Sequence, residues 1–96
     1  MQATDTGDLV AAIAEVVNEK LRKLHVALRP ATDADLRTCG LDSMGIVQLV
    51  LDIEIRFDLA IPDAQITLDN FSTIDRIAAL IGPMLHAAGN QREVLP

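Results

Sequence analysis

The sequence predicts an all-α fold, a small four-helix bundle of three main helices and one short helix, with a long loop between helices 1 and 2. Three observations carry this expectation. Apolar residues recur at spacings of three and four in three separate stretches. No stretch alternates with the period of two that a half-buried strand shows. A chain of 96 residues, 50% of them hydrophobic, suffices for one core and leaves no room for a second domain. With two phenylalanines and no Trp or Tyr, that core is aliphatic.

Residues 1–7 read as a flexible polar tail. Asp8 then leads into Leu9, Val10, Ile13, Val16, Val17, Leu21 and Leu24, one stripe of an amphipathic helix that Thr6 or Asp8 would cap. Glu15 and Glu19 precede Lys20, Arg22 and Lys23, the order that the helix dipole favours, and the helix should stop near His25. From Val26 to Leu41 the period is lost, and the segment holds Pro30, Thr32, Asp33 and Asp35. A loop of this length needs pins in the core, and Leu36, Cys39 and Leu41 are the available ones.

The second helix starts at Ser43 and runs to Phe57. Advancing about 100° per residue from Ser43 gathers Ile46, Leu49, Val50, Ile53 and Phe57 between about 240° and 340°, the core stripe. Met44, Val47, Leu51 and Ile55 form a second apolar stripe between about 40° and 120°, while Gly45, Gln48, Asp52 and Arg56 occupy about 140° to 220°. Ser43 and Glu54 lie between the two stripes. One stripe is enough to seat a helix on a small bundle, so the second is either a wider core contact or a surface kept apolar for a partner. Asp58 to Ala60 break the helix, and Ile61-Pro62-Asp63 begins a short helix over 63–68. Ser72 or Thr73 caps a last helix whose stripe is Ile74, Ile77, Ala78, Leu80, Ile81, Met84 and Leu85. Pro83 should end or kink it, with Gly89-Asn90 as a second stop. The expected organisation is a folded domain over 8–88 and a flexible C-terminal tail over 89–96.

Composition narrows the function. Fourteen Asp plus Glu against eight Lys plus Arg give a net charge of −6, which repels nucleic acid and anionic lipid and favours partners with positive patches. The near absence of aromatics removes the stacking platforms used on single strands. Cys39 is the sole cysteine, so no intrachain disulfide forms and cysteine-based zinc sites are excluded; no metal site is expected, and a reducing cytoplasm fits best. Leu9 to Val17 is too short for a membrane span and holds Glu15. A serine hydrolase needs a base, and neither His25 nor His86 is near Ser43 in sequence. Asp42, Asp52, Glu54 and Asp58 are spread around or beyond a helix with no cleft implied. No catalytic residue is expected.

Gly40-Leu41-Asp42-Ser43-Met44 delivers a serine to the first position of helix 2. A helix N-terminus carries unpaired N–H groups and a partial positive charge, so an oxygen there suits a phosphate ester. The same serine also suits a plain helix cap. On local chemistry both readings stand.

Gly40-Leu41-Asp42-Ser43-Met44, followed by Val47, Leu49-Val50, Ile53-Glu54, Arg56-Phe57 and Ile61-Pro62-Asp63, resembles the acyl carrier protein family, and the likeness extends from about residue 9 to 86. The resemblance implies the acyl-carrier type of bundle, no catalysis by the chain itself, and a 4′-phosphopantetheine arm, taken from coenzyme A, on Ser43, with Asp42 flanking it for recognition by a phosphopantetheinyl transferase. It further implies that Met44, Val47, Gln48, Leu51, Glu54 and Ile55 form the partner-binding face. The partners it implies are that transferase, a cargo-loading ligase or acyltransferase, and a downstream synthase or transferase, acting on a cytoplasmic monomer. Gln48, Ile55 and Arg56 depart from the family, which often has acids there. Met44-Gly45, Val47-Gln48-Leu49 and Arg56-Phe57-Asp58 look like the D-alanyl and other aminoacyl carriers. The cargo is therefore acyl, as in fatty-acid or polyketide biosynthesis, or aminoacyl or peptidyl, loaded by an adenylating ligase; an unmodified helical interaction module is the third reading.

Overall fold

A computed structural model describes the backbone of residues 6–27 and 29–94, with side chains described for 7–27 and 29–86. Three helices make the fold: α1 (Thr6–Lys23), α2 (Ser43–Phe57) and α3 (Ile74–Val94), and α1 packs against both of the others. No strand occurs among the described residues. The core is one aliphatic cluster closed by Phe71. Leu9, Ile13, Val17 and Leu21 enter it from α1, Ile46, Leu49, Val50 and Ile53 from α2, and Ile74, Ile77 and Ile81 from α3. Burying each such side chain contributes about 1.5–3 kcal/mol before entropy is counted.

α1 begins at Thr6, two residues before the expected start, and the residues before it lie outside the description. It ends as expected near His25. The N–H of Val26 reaches the Leu21 carbonyl at 2.8 Å and that of His25 the Arg22 carbonyl at 2.9 Å, a Schellman ending with His25 left-handed at φ 64. The following loop is pinned as the sequence suggests. Leu36 and Leu41 are fully buried and Cys39 nearly so, and the segment Leu36–Cys39 winds into a 3₁₀ turn. Asp35 caps that turn by accepting from the Arg37 N–H, and Gly40 closes it at φ 114, which glycine alone adopts freely. A Cβ on Gly40 would also stand 3.2 Å from Val26 Cγ2. The loop is tied to the start of α3 through Leu36 N–H to Ser72 O (2.8 Å), Asp75 N–H to Thr32 O (2.9 Å) and Thr32 Oγ1 to Asp75 Oδ2 (3.2 Å).

Two expectations are corrected. Instead of a short helix over 63–68 there is a single 3₁₀ turn, Asp63–Gln65. Local side chains take the backbone groups that a helix would use: the Asn70 side chain donates to Gln65 O (2.9 Å), and Thr67 Oγ1 accepts from Asn70 N–H (3.0 Å). Pro83 does not stop α3, and the backbone stays helical past Gly89-Asn90 to Val94, within the stretch expected as a tail over 89–96. The proline loses the bond to the carbonyl of Ala79 and crowds it, at an exposed residue of the helix. Next to it, Gly82 faces α1, where an added Cβ would stand 3.4 Å from Leu9 Cδ2.

Candidate functional site

The loop pins and the Gly40 turn bring the chain onto the N-terminus of α2, where Asp42, rather than Ser43, is the cap. Its backbone is extended (φ −82, ψ −173), its carboxylate accepts from the Gly45 N–H at 2.8 Å, and its carbonyl accepts from the Ile46 N–H at 2.9 Å. Gly45 makes room for this, since a Cβ there would lie 3.1 Å from Leu41 Cδ2 and 3.4 Å from the capping oxygen. Ser43 is thereby released from the capping role. It is exposed at the first helical position, and its hydroxyl bonds to no described residue. The N–H groups of Ser43 and Met44 remain without helical acceptors, at the positive end of the helix dipole.

The second stripe of α2 is exposed rather than core. Met44 is 65% exposed, Val47 50%, Leu51 53% and Ile55 79%, while Ile46, Leu49, Val50 and Ile53 on the opposite side are buried. Gln48 is exposed beside the stripe. The acids of the region are more engaged than the sequence suggests. Glu54 is half-buried, and its Oε2 accepts from the Ile61 N–H at 2.8 Å, anchoring the chain after α2. Asp52 pairs with Lys20 Nζ at 2.9 Å, and Arg56 pairs with Glu15 at 3.1 Å while lying 5.9 Å from the Phe57 ring centre. These two pairs join α2 to α1 beside the buried Ile46, Leu49, Val50 and Ile53, whose burial sets the roll of α2 so that the 40°–120° arc faces outward. Asp58 ends the helix in a left-handed conformation at φ 53, with its N–H on the Glu54 carbonyl.

Several chemistries find no constellation. His25 and His86 are exposed on other elements, Cys39 is buried and outside any disulfide, and no group of His, Cys, Asp or Glu suited to a metal occurs among the described residues. A cleft of about 440 Å³ between α1 and α2 is lined by Glu15, Asn18, Arg22, Asp52 and Arg56 among others, on the arc of α2 that faces α1. No helix among the described residues is long and apolar enough to cross a membrane.

A small all-helical scaffold that exposes one hydroxyl on a capped helix N-terminus offers a place where a group can be attached covalently, which is the class of a modified scaffold. The chain belongs to the phosphopantetheine attachment site family, which matches residues 8–81. It is similar to aminoacyl carrier protein 1 of Bradyrhizobium diazoefficiens, 33% identical over 88 residues that cover 92% of this chain and 97% of that one. Aminoacyl carrier protein 2 of the same organism is 32% identical over 69 residues, 72% of this chain and 78% of the relative. The D-alanyl carrier protein of Streptococcus thermophilus is 32% identical over 71 residues, 73% of this chain and 86% of the relative. The chain is thus a carrier protein and not an enzyme, and its cofactor is covalently attached 4′-phosphopantetheine. Carrier proteins of this kind partner with a phosphopantetheinyl transferase and loading ligases.

The end of α2 suits that group. It offers an unengaged hydroxyl in the open, two N–H groups for an anionic phosphodiester, and a cap whose carboxylate is folded back onto Gly45.

Proposed function

We propose that Ser43 bears the 4′-phosphopantetheine arm. The observation that carries this is the division of labour at the start of α2, where Asp42 caps and Ser43 stands exposed with its hydroxyl unengaged. When attached, the arm supplies the terminal thiol on which cargo is held as a thioester. Asp42 flanks the attachment point for the transferase, and Met44, Val47, Gln48, Leu51 and Ile55 form the surface that partner enzymes grip. Glu54 contributes at its edge through the oxygen not bound to Ile61.

We infer that the cargo is aminoacyl, loaded by an adenylating ligase. The names of the three relatives and the Met44-Gly45 and Arg56-Phe57-Asp58 runs support this over fatty-acyl or polyketide cargo. The carrier unit spans 8–88 and acts as a cytoplasmic monomer, in keeping with a lone buried Cys39 and a net charge of −6. Within the acyl-carrier type of bundle, the 63–70 segment stands for the short fourth helix.

Intact mass after incubation with coenzyme A and a phosphopantetheinyl transferase tests the site. One arm is gained by the wild-type chain and none by Ser43→Ala. An unchanged wild-type mass, beside a carrier that the same transferase does modify, would favour the unmodified interaction module. The mass of the protein isolated from its native host then reports the cargo.

A further inference from the structure

We propose that Gly45 is a positioning residue for attachment of the arm: by having no Cβ it keeps the helix cap on Asp42 and so leaves the Ser43 hydroxyl free to react. This rests on the reading of Ser43 given above. It goes beyond that reading in assigning the choice of cap, and with it the state of the hydroxyl, to a buried residue beneath the site.

A glycine inside a helix costs stability relative to alanine, so its presence in α2 calls for a local reason. Gly45 is the third residue of α2 and is buried. Gly40 is the one glycine with positive φ among the described residues, so left-handed freedom is not what Gly45 supplies. It supplies space. A Cβ here would stand 3.1 Å from Leu41 Cδ2, 3.4 Å from Asp42 Oδ1 and 3.7 Å from Leu41 Cβ. Leu41 is fully buried and cannot withdraw without disturbing the packed core. Asp42 is exposed, so its carboxylate is the group that gives way, and its 2.8 Å bond from the residue-45 N–H is lost.

Ser43 is the next residue able to cap, and serine ranks with aspartate in that role. The helix then starts one residue later, with Ser43 Oγ accepting from the N–H of residue 45 or 46. In arm transfer that same oxygen forms a bond to the phosphorus of coenzyme A that carries pantetheine. The bond from that phosphorus to adenosine 3′,5′-bisphosphate breaks, and the hydroxyl proton passes to a base on the transferase. An Oγ engaged by the helix must first give up its hydrogen bond, and one cap bond corresponds to a factor of about five.

The test compares wild type, Gly45→Ala, Leu41→Val and the double variant. Two quantities are read: kcat/KM for transfer from coenzyme A by a phosphopantetheinyl transferase, and the hydrogen-exchange protection of the residue-45 amide by NMR. In Gly45→Ala both should fall about fivefold or more, while circular dichroism shows α2 retained, since alanine favours helix. Leu41→Val removes the Cδ2 that a Cβ would meet at 3.1 Å, so the double variant should match Leu41→Val alone in both readouts. Transfer that is unchanged after protection is lost would overturn the proposal, because the hydroxyl would then not depend on the cap. Transfer that falls with protection intact would overturn it too, as would two unchanged readouts. If Gly45→Ala loses helicity, rescue by Leu41→Val decides: restored fold and transfer support the proposal, and no rescue overturns it. Failure of the reading beneath it looks different: the wild-type chain gains no arm, or Ser43→Ala still gains one.

Discussion

Asp42 stands next to the serine, and its two possible roles, shaping the helix and being read by an enzyme, separate on substitution. Asp42→Ala removes the side-chain oxygen that takes the Gly45 N–H at 2.8 Å and also removes the negative charge from the positive end of α2. Loss of such a cap costs about 1 kcal/mol, and loss of the charge at a helix N-terminus about 0.5 kcal/mol, together roughly 1.5 kcal/mol. For a domain of this size that lowers Tm by about 6–12 °C, and with an m-value near 1 kcal/mol/M it lowers the urea midpoint by about 1.5 M. Asp42→Asn keeps an oxygen in the same place and gives up only the charge, so it should lose about 0.5 kcal/mol. Urea titrations followed at 222 nm measure both. An Ala variant within about 0.3 kcal/mol of wild type would refute the capping assignment, and an Asn variant as unstable as Ala would show that charge rather than geometry dominates. Transfer of the arm to the two variants completes the experiment. If Asn keeps the stability and loses the modification, the carboxylate itself is read by the transferase.

Three further outcomes follow from the geometry. Gly40→Ala places a Cβ 3.2 Å from Val26 at φ 114, and should cost about 1–3 kcal/mol in thermal or urea unfolding; a neutral result would mean that the turn is not held left-handed. Leu51→Asp, on the exposed stripe, should leave the melting curve within about 0.5 kcal/mol of wild type, whereas Leu49→Ala, fully buried two residues away, should cost about 2–5 kcal/mol; comparable losses would place the stripe in the core. The Asp35 carboxyl is held below its ordinary value of 3.8, first by the Arg37 side chain and then by the Arg37 N–H. A depressed folded value means that its contribution to the 3₁₀ turn is present above the unfolded value and lost as pH falls through the folded one. Carboxyl chemical shifts should therefore give Asp35 a midpoint below that of an unfolded peptide, and Arg37→Gln should raise it; an unshifted midpoint would refute the pairing.

The fold and the site were legible to different depths, for identifiable reasons. The turn of about 100° per residue sorted α2 correctly into Ile46, Leu49, Val50 and Ile53 inside, with Met44, Val47, Leu51 and Ile55 apart from them, because helical periodicity depends on the chain alone. It could not say whether the second stripe was covered, since that depends on where α1 and α3 lie. The ion pairs Lys20–Asp52 and Arg56–Glu15 join residues 32 and 41 apart, and only the approach of two helices brings them together. Glu54 carried no signal of its tie to Ile61, which exists because the left-handed Asp58 turns the chain back along α2. The short 63–68 helix failed because the hydroxyl of Thr67 and the amide of Asn70 offered competing bonds within a single turn. Pro83 failed as a stop because its cost falls at Ala79, an exposed residue of α3. At the site, Asp42 and Ser43 both look like caps in the sequence, and the spare oxygen became visible only when Gly45 was seen donating to Asp42.

The pinned roll of α2 has a consequence for any enzyme that handles this chain. With 1.5 Å of rise per residue, Leu51 lies about 12 Å along the axis from Ser43, and Ile55 about 18 Å. Because the helix is rigid, those offsets are a ruler. An enzyme that grips Leu51 and Ile55 must have the mouth of its active-site channel one fixed stride away, and any two enzymes that grip this same pair must share that stride, however different their chemistry.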